Sequence, residues 1–119
     1  MPREKIIVVD DSQDILEGLK LFLELKKYQV RTCNSEQELY KLISEFNPSI
    51  IILDIFIAGQ DCRHICHNLK KDPQTAHLKV VLTSAAPHAL NDYRKFGADD
   101  ILEKPFGLEE IYSKIESLL

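Results

Sequence analysis

Three carboxylates stand directly after apolar runs. Asp10 and Asp11 follow Ile6-Ile7-Val8-Val9, and Asp54 follows Ile50-Ile51-Ile52-Leu53. Like charges at neighbouring strand ends are strained unless a cation lies between them. Hard oxygen ligands in this number suit Mg²⁺, which takes one or two carboxylates directly and keeps several waters. Such a site also offers a reactive group. A carboxylate can attack a phosphoryl group and form an acyl phosphate. That reaction asks the protein for in-line geometry and for neutralised charge on the equatorial oxygens. An ion held by Asp11 and Asp54, with Asp10 acting through water, would neutralise one side. Lys104 offers a mobile point charge to another oxygen, and the Ser84 hydroxyl a hydrogen bond to a third.

Each residue alone has a plainer reading. Asp-Asp after a strand is commonly a turn or helix cap, and Asp14 could be only a cap. A single Asp at a strand end is usually a turn residue, Ser84 before a helix a cap, and Lys before Pro merely solvated. What favours chemistry is their placement by the surrounding elements. Apolar runs of strand length alternate with segments of helical period, the pattern of a parallel sheet covered on both faces. Strands are expected at Ile6–Val9, Tyr28–Cys33, Ser49–Leu53, Lys79–Thr83 and Asp100–Glu103. Helices are expected from near Asp14, from Ser35 with its capping-box partner Glu38, over 61–71, over 87–96 and over 108–119. Asn47-Pro48 and Asp72-Pro73 stop the second and third helices, and Gly97 is placed for a left-handed cap on the fourth. Right-handed crossovers then gather the carboxyl ends of the strands at one crevice. Asp10, Asp11, Asp54, Ser84 and Lys104 all fall at or just past those ends.

Composition narrows the alternatives. A chain of 119 residues is one domain's worth, with 45% hydrophobic and 29% charged residues. The net charge of −4 and the lack of a basic cluster on any helix disfavour direct nucleic-acid binding. No apolar stretch approaches the roughly 20 residues of a membrane span. The N-terminus lacks a signal-peptide core, and three cysteines argue against a disulfide framework, so a cytoplasmic location is expected.

Over nearly its whole length the chain resembles the receiver domain of two-component response regulators. The matching segments are Ile6-Ile7-Val8-Val9-Asp10-Asp11-Ser12, Ile51-Ile52-Leu53-Asp54, Val80-Val81-Leu82-Thr83-Ser84-Ala85, and the run from Phe96 to Phe106 containing Lys104-Pro105. The resemblance implies a flavodoxin-like (βα)5 three-layer sandwich, a five-stranded parallel sheet in the order 2-1-3-4-5. It implies one receiver domain over residues 1–119 without an output domain, as a stand-alone regulator or as part of a longer chain. Asp54 would be the phosphoacceptor. Asp10, Asp11, Asp54 and the backbone carbonyl of Phe56 would hold Mg²⁺. Ser84 would be the switch hydroxyl, with Thr83 turned into the core, and Lys104 the phosphate-binding lysine. The phosphate would come from a histidine kinase or histidine phosphotransfer protein. A downstream protein or output domain would read the face of the fourth helix, fifth strand and fifth helix, and the domain would be a monomer or a weak phosphorylation-dependent dimer. Such a protein is a switch that promotes only its own phosphorylation and dephosphorylation. An adaptor insensitive to phosphate, or a hydrolase of an organic phosphate, would be the other uses of such a fold.

Some positions depart from the family pattern. Ala58 stands where Pro is usual, Cys62 where Gly is usual, and Ile101 where many members carry a switching Tyr or Phe. Phe56 and Ala86 are apolar and flank the site, which is expected to lengthen the life of the acyl phosphate. The run Cys62-Arg63-His64-Ile65-Cys66-His67 suggests metal or haem ligands, but one helical turn cannot supply a tetrahedral set. Cys66 is expected to pack between helix and sheet as a small hydrophobe. His77 and His88 are expected to face solvent.

Overall fold

Ile50–Asp54 (β3) is buried at every position, which a strand needs when helices cover both faces of its sheet. The computed structural model describes residues 3–119. In it β3 lies between Lys5–Val9 (β1) and Lys79–Ser84 (β6), with Gln29–Cys33 (β2) and Asp100–Glu103 (β7) at the edges. The five strands are parallel, in the order β2-β1-β3-β6-β7. Skipping the small hairpin described below, this is the 2-1-3-4-5 order implied by the resemblance.

Strand alternation divides the apolar residues between two cores. Ile7, Val9, Ile51, Leu53, Val80 and Leu82 face helices Glu36–Phe46 (α2) and Arg63–Lys71 (α3). Ile6, Val8, Ile50, Ile52 and Val81 face helices Gln13–Leu25 (α1) and Leu108–Leu118 (α4). Cys66 is fully buried in the first core, as its position beside Ile65 suggested, and His77 and His88 are exposed. Burial pushes the thiols of Cys33 and Cys66 up to about 12 and about 11, so neither is a ready thiolate. The caps follow the sequence. Ser12 Oγ accepts from the Ile15 amide and Ser35 Oγ from the Glu38 amide, while Asn47 ends α2 in the left-handed region.

Two local expectations are corrected. The segment 87–96 is not an α-helix but two 3₁₀ turns, Pro87–Leu90 and Tyr93–Phe96, so the described residues hold four α-helices rather than five. The reason is in the spacing. Leu90, Tyr93 and Phe96 recur every three residues, matching three residues per turn, and all pack against the first core. Asn91 and Asp92, poor helix formers, separate the turns. Gly97 closes the segment at φ +84°, as expected, and a Cβ there would lie 2.8 Å from Lys70 Cγ. The loop after Asp54 is likewise more ordered than the sequence indicated. Phe56–Ile57 (β4) and Gln60–Asp61 (β5) pair antiparallel around Ala58-Gly59, both at positive φ. Two such residues form the turn whose twist suits a tight hairpin.

Candidate functional site

Register builds the acidic cluster. Val9 pairs with Leu53 across β1 and β3, so Asp10 and Asp54 emerge side by side at adjacent strand ends. Asp54 in turn pairs with Thr83, and Ser84 with Glu103, which brings Ser84 and Lys104 to the same edge. The Lys104 amide donates to the Ser84 carbonyl at 2.8 Å, extending the ladder one residue beyond β7. The following Lys104–Pro105 peptide is cis.

The side chains converge as the sequence foresaw. Carboxylate oxygens of Asp10, Asp11 and Asp54 lie within 4.8 Å of one another. Lys104 Nζ bridges two of them, at 2.8 Å from Asp10 Oδ2 and 3.2 Å from Asp54 Oδ2. Asp10 and Asp54 are buried, whereas Asp11 is exposed. Backbone donors complete the frame. Ser12 N–H donates to Asp10 Oδ1, Phe56 N–H to Asp54 Oδ1, and Ala58 N–H to Asp11 Oδ2. Asp54, Phe56, Ser84, Ala85, Ala86 and Lys104 line an open cavity of about 340 Å³. Ser84 Oγ accepts from the Ala86 amide at 3.0 Å. Thr83, its neighbour, is also buried. Phe56 is exposed and lines this cavity, and Ile101 is half-buried against the first core.

Two charges of one sign are left over. The cluster holds three carboxylates and one ammonium, which touches two of them, and the strain appears at Asp54, whose carboxyl is pushed up to about 6. Burial is the larger cause and the charge of Asp10 the second, with Lys104 only partly offsetting them. Burial also works against the Lys104 ammonium, but its bond to Asp10 and the nearby carboxylates outweigh this and hold its pKa above the ordinary value. The donor set fits a hard divalent cation: closely spaced oxygens, a surplus of negative charge, and one exposed carboxylate open to hydrated ions.

A stability consequence follows with a definite sign. The folded Asp54 pKa of about 6 exceeds the ordinary value of 3.8. The folded state therefore binds more protons across that window, and ion-free stability falls as pH rises from about 4 to above 6. The expected loss from this group is at most about 3 kcal/mol. Urea unfolding without divalent ions should show the decline, and Asp54→Asn should flatten it.

Sequence reasoning did not find the three backbone donors or the direct contact of Lys104 with Asp10. Gly59 was the one local hint of the turn, because Ala-Gly is not among the dipeptides that favour a tight hairpin. Nothing local announces a lysine that reaches across four strand ends.

Comparison with known proteins agrees with this geometry. The response regulator receiver domain family model matches residues 6–116. The DNA-binding dual master transcriptional regulator RpaA of Synechocystis sp. is 31% identical over 121 residues, covering 100% of this chain and 49% of that protein. Among solved structures, a putative response regulator from Chloroflexus aurantiacus superposes with a TM-score of 0.90 at 27% identity, covering 99% of this chain and 98% of the other. The signal receiver domain of a signal transduction histidine kinase from Syntrophus aciditrophicus gives 0.87 at 28% identity, over 98% and 90% of the two chains. The chain belongs to the response regulator receiver domain family. It is thus a phosphoacceptor domain of two-component signalling, a switch rather than a conventional enzyme. It spans about half the length of the curated relatives it matches. Among the described residues no helix is long and apolar enough to cross a membrane.

Proposed function

We propose that Asp54 accepts a phosphoryl group from the phosphohistidine of a histidine kinase or phosphotransfer protein. The observation that carries this reading is Lys104 Nζ seated between Asp10 and Asp54 at the mouth of a cavity that also holds Ser84. An Asp54 oxygen forms the new bond to phosphorus as the phosphorus–nitrogen bond breaks, and the imidazole leaves. Mg²⁺ bound by Asp10, Asp11, Asp54 and the Phe56 carbonyl would supply positive charge to the transferring oxygens. Lys104 is already desolvated and close enough to move from a carboxylate to a phosphoryl oxygen. Ser84 lies across the cavity as the donor to another.

The output follows from that last contact. A phosphoryl group on Asp54 draws Ser84 toward it, and residues 85–87 must follow. They lead into the two 3₁₀ turns, whose Ala89 and Leu90 are buried in the first core. The face made by those turns, β7 and α4 is therefore the surface a downstream protein or output domain would read. Beside Lys104, an apolar cavity of about 430 Å³ lined by Ile15, Leu19, Pro105, Phe106 and Leu108 gives a phosphodonor protein a place to dock.

The test is incorporation of phosphate from a small phosphodonor, read by intact mass. Uptake should require Mg²⁺ and stop with a chelator. Uptake equal in both conditions would overturn the assignment. Persistence of the product is a separate prediction. The Phe56 ring and Ala86 line the approach to Asp54, so a hydrolytic water finds no polar anchor there. Phe56→Asn should shorten the half-life of the acyl phosphate several-fold, measured after removal of the donor.

A further inference from the structure

Ala58 is held in a conformation that L residues avoid, at φ +52°. Among the described residues two other non-glycines share that region, Lys27 and Asn47, and each lies at a helix end where such a turn is common. Ala58 has no helix to end and no polar side chain to stabilise the turn. What its conformation does provide is an amide aimed at Asp11 Oδ2, 2.9 Å away. Two residues earlier in the same hairpin, the Phe56 amide donates to Asp54 Oδ1 at 3.4 Å. Alternate amides of one short hairpin therefore hold two different carboxylates of the acidic cluster. The third, Asp10, has the Ser12 amide and shares Lys104 with Asp54. Among the described residues no cation pairs with Asp11.

We infer that the backbone amide of Ala58 is a positioning group for the divalent ion, fixing the exposed Asp11 carboxylate by one oxygen and leaving the other for the metal. This rests on the reading of the cluster as a Mg²⁺ site. A carboxylate on an exposed loop samples several rotamers, and an ion that must select one binds more weakly than an ion meeting a fixed ligand. Hydrogen bonds to ligating carboxylates commonly contribute at this level to metal affinity. The left-handed turn at Ala58 is the strained feature that aims the donor.

The experiment is calorimetric titration of the ion-free protein with Mg²⁺ alone. Proline at 58 has no N–H and a φ fixed near −65°, so it removes both the donor and the turn. Ala58→Pro should weaken Mg²⁺ binding by about tenfold. Ala58→Gly keeps the N–H and adopts the turn freely, and should bind no more weakly than wild type. A proline variant that binds as well as wild type, or more tightly, overturns the inference and would mark the amide as indifferent to the ion or a competitor with it. Wild type that takes up no Mg²⁺ would instead sink the metal-site reading itself. Should the proline variant fail to fold, amide hydrogen exchange decides. The Ala58 proton should exchange several-fold faster in Asp11→Ala than in wild type, both ion-free, and equal rates would refute the contact.

Discussion

Asp54→Asn is expected to take up no phosphate from a small phosphodonor under conditions where the wild type is fully labelled. An asparagine matches the carboxylate in size and its single oxygen can still accept from either the Phe56 amide or Lys104, so the strand ends should keep their places. What it lacks is a nucleophilic oxygen bearing a full negative charge. Asp10 and Asp11 do not substitute for it. Asp10 is 2% exposed and its two oxygens are engaged by Ser12 N–H and Lys104. Asp11 is exposed, but it is absent from the cavity lined by Asp54, Ser84 and Lys104. Intact mass of the two proteins after equal exposure to donor and Mg²⁺ checks this. A labelled Asp54→Asn protein would move the acceptor elsewhere.

The second large effect concerns Lys104. Its ammonium is the direct cationic partner of both buried carboxylates, whose side chains are 4% and 8% exposed. Methionine keeps most of the stem and removes the charge. Taking one partner from a buried ionic group leaves the other uncompensated, at a cost of about 3 kcal/mol. The cost depends on pH. With Lys104 present the Asp54 carboxyl is already pushed up to about 6 by burial and by Asp10. Without it the folded pKa rises further. A group with a raised folded pKa contributes stability that is present below its unfolded pKa and lost as pH rises through the folded one. Lys104→Met should therefore be nearly as stable as wild type near pH 4 and fall increasingly below it above pH 6. Urea unfolding in chelator at several pH values measures this. The same variant should label about 100-fold more slowly, since it lacks one preorganised charge for the transferring oxygens. A pH-independent deficit would show that Lys104 acts through packing alone.

Much of this architecture was legible because a sheet covered on both faces writes an uninterrupted apolar run for each central strand. Ile6–Val9 and Ile50–Leu53 could hardly be read otherwise, and an acid directly after each run placed Asp10, Asp11 and Asp54 at the strand ends. Capping residues such as Ser35 and Gly97 were visible for a similar reason, since their role depends on neighbours in the chain. The segment 87–96 misled because four apolar positions in ten residues fit an α-helix loosely. Their repeat of three fits 3₁₀ turns better, and packing of Leu90, Tyr93 and Phe96 against the first core selects that form.

By itself, then, the sequence determined the strand order through the family it resembles, the positions of the acids, and the identity of the lysine and hydroxyl that join them. These are properties of local pattern and of residue type. The tertiary structure decided the rest. It settled that Lys104 spans Asp10 and Asp54, that a hairpin follows Asp54, and that the Ala58 amide reaches Asp11. Each of these contacts joins residues 47 to 94 positions apart or depends on a left-handed backbone angle. Such features are fixed by the closing of the whole sheet, and no window of neighbouring residues contains them.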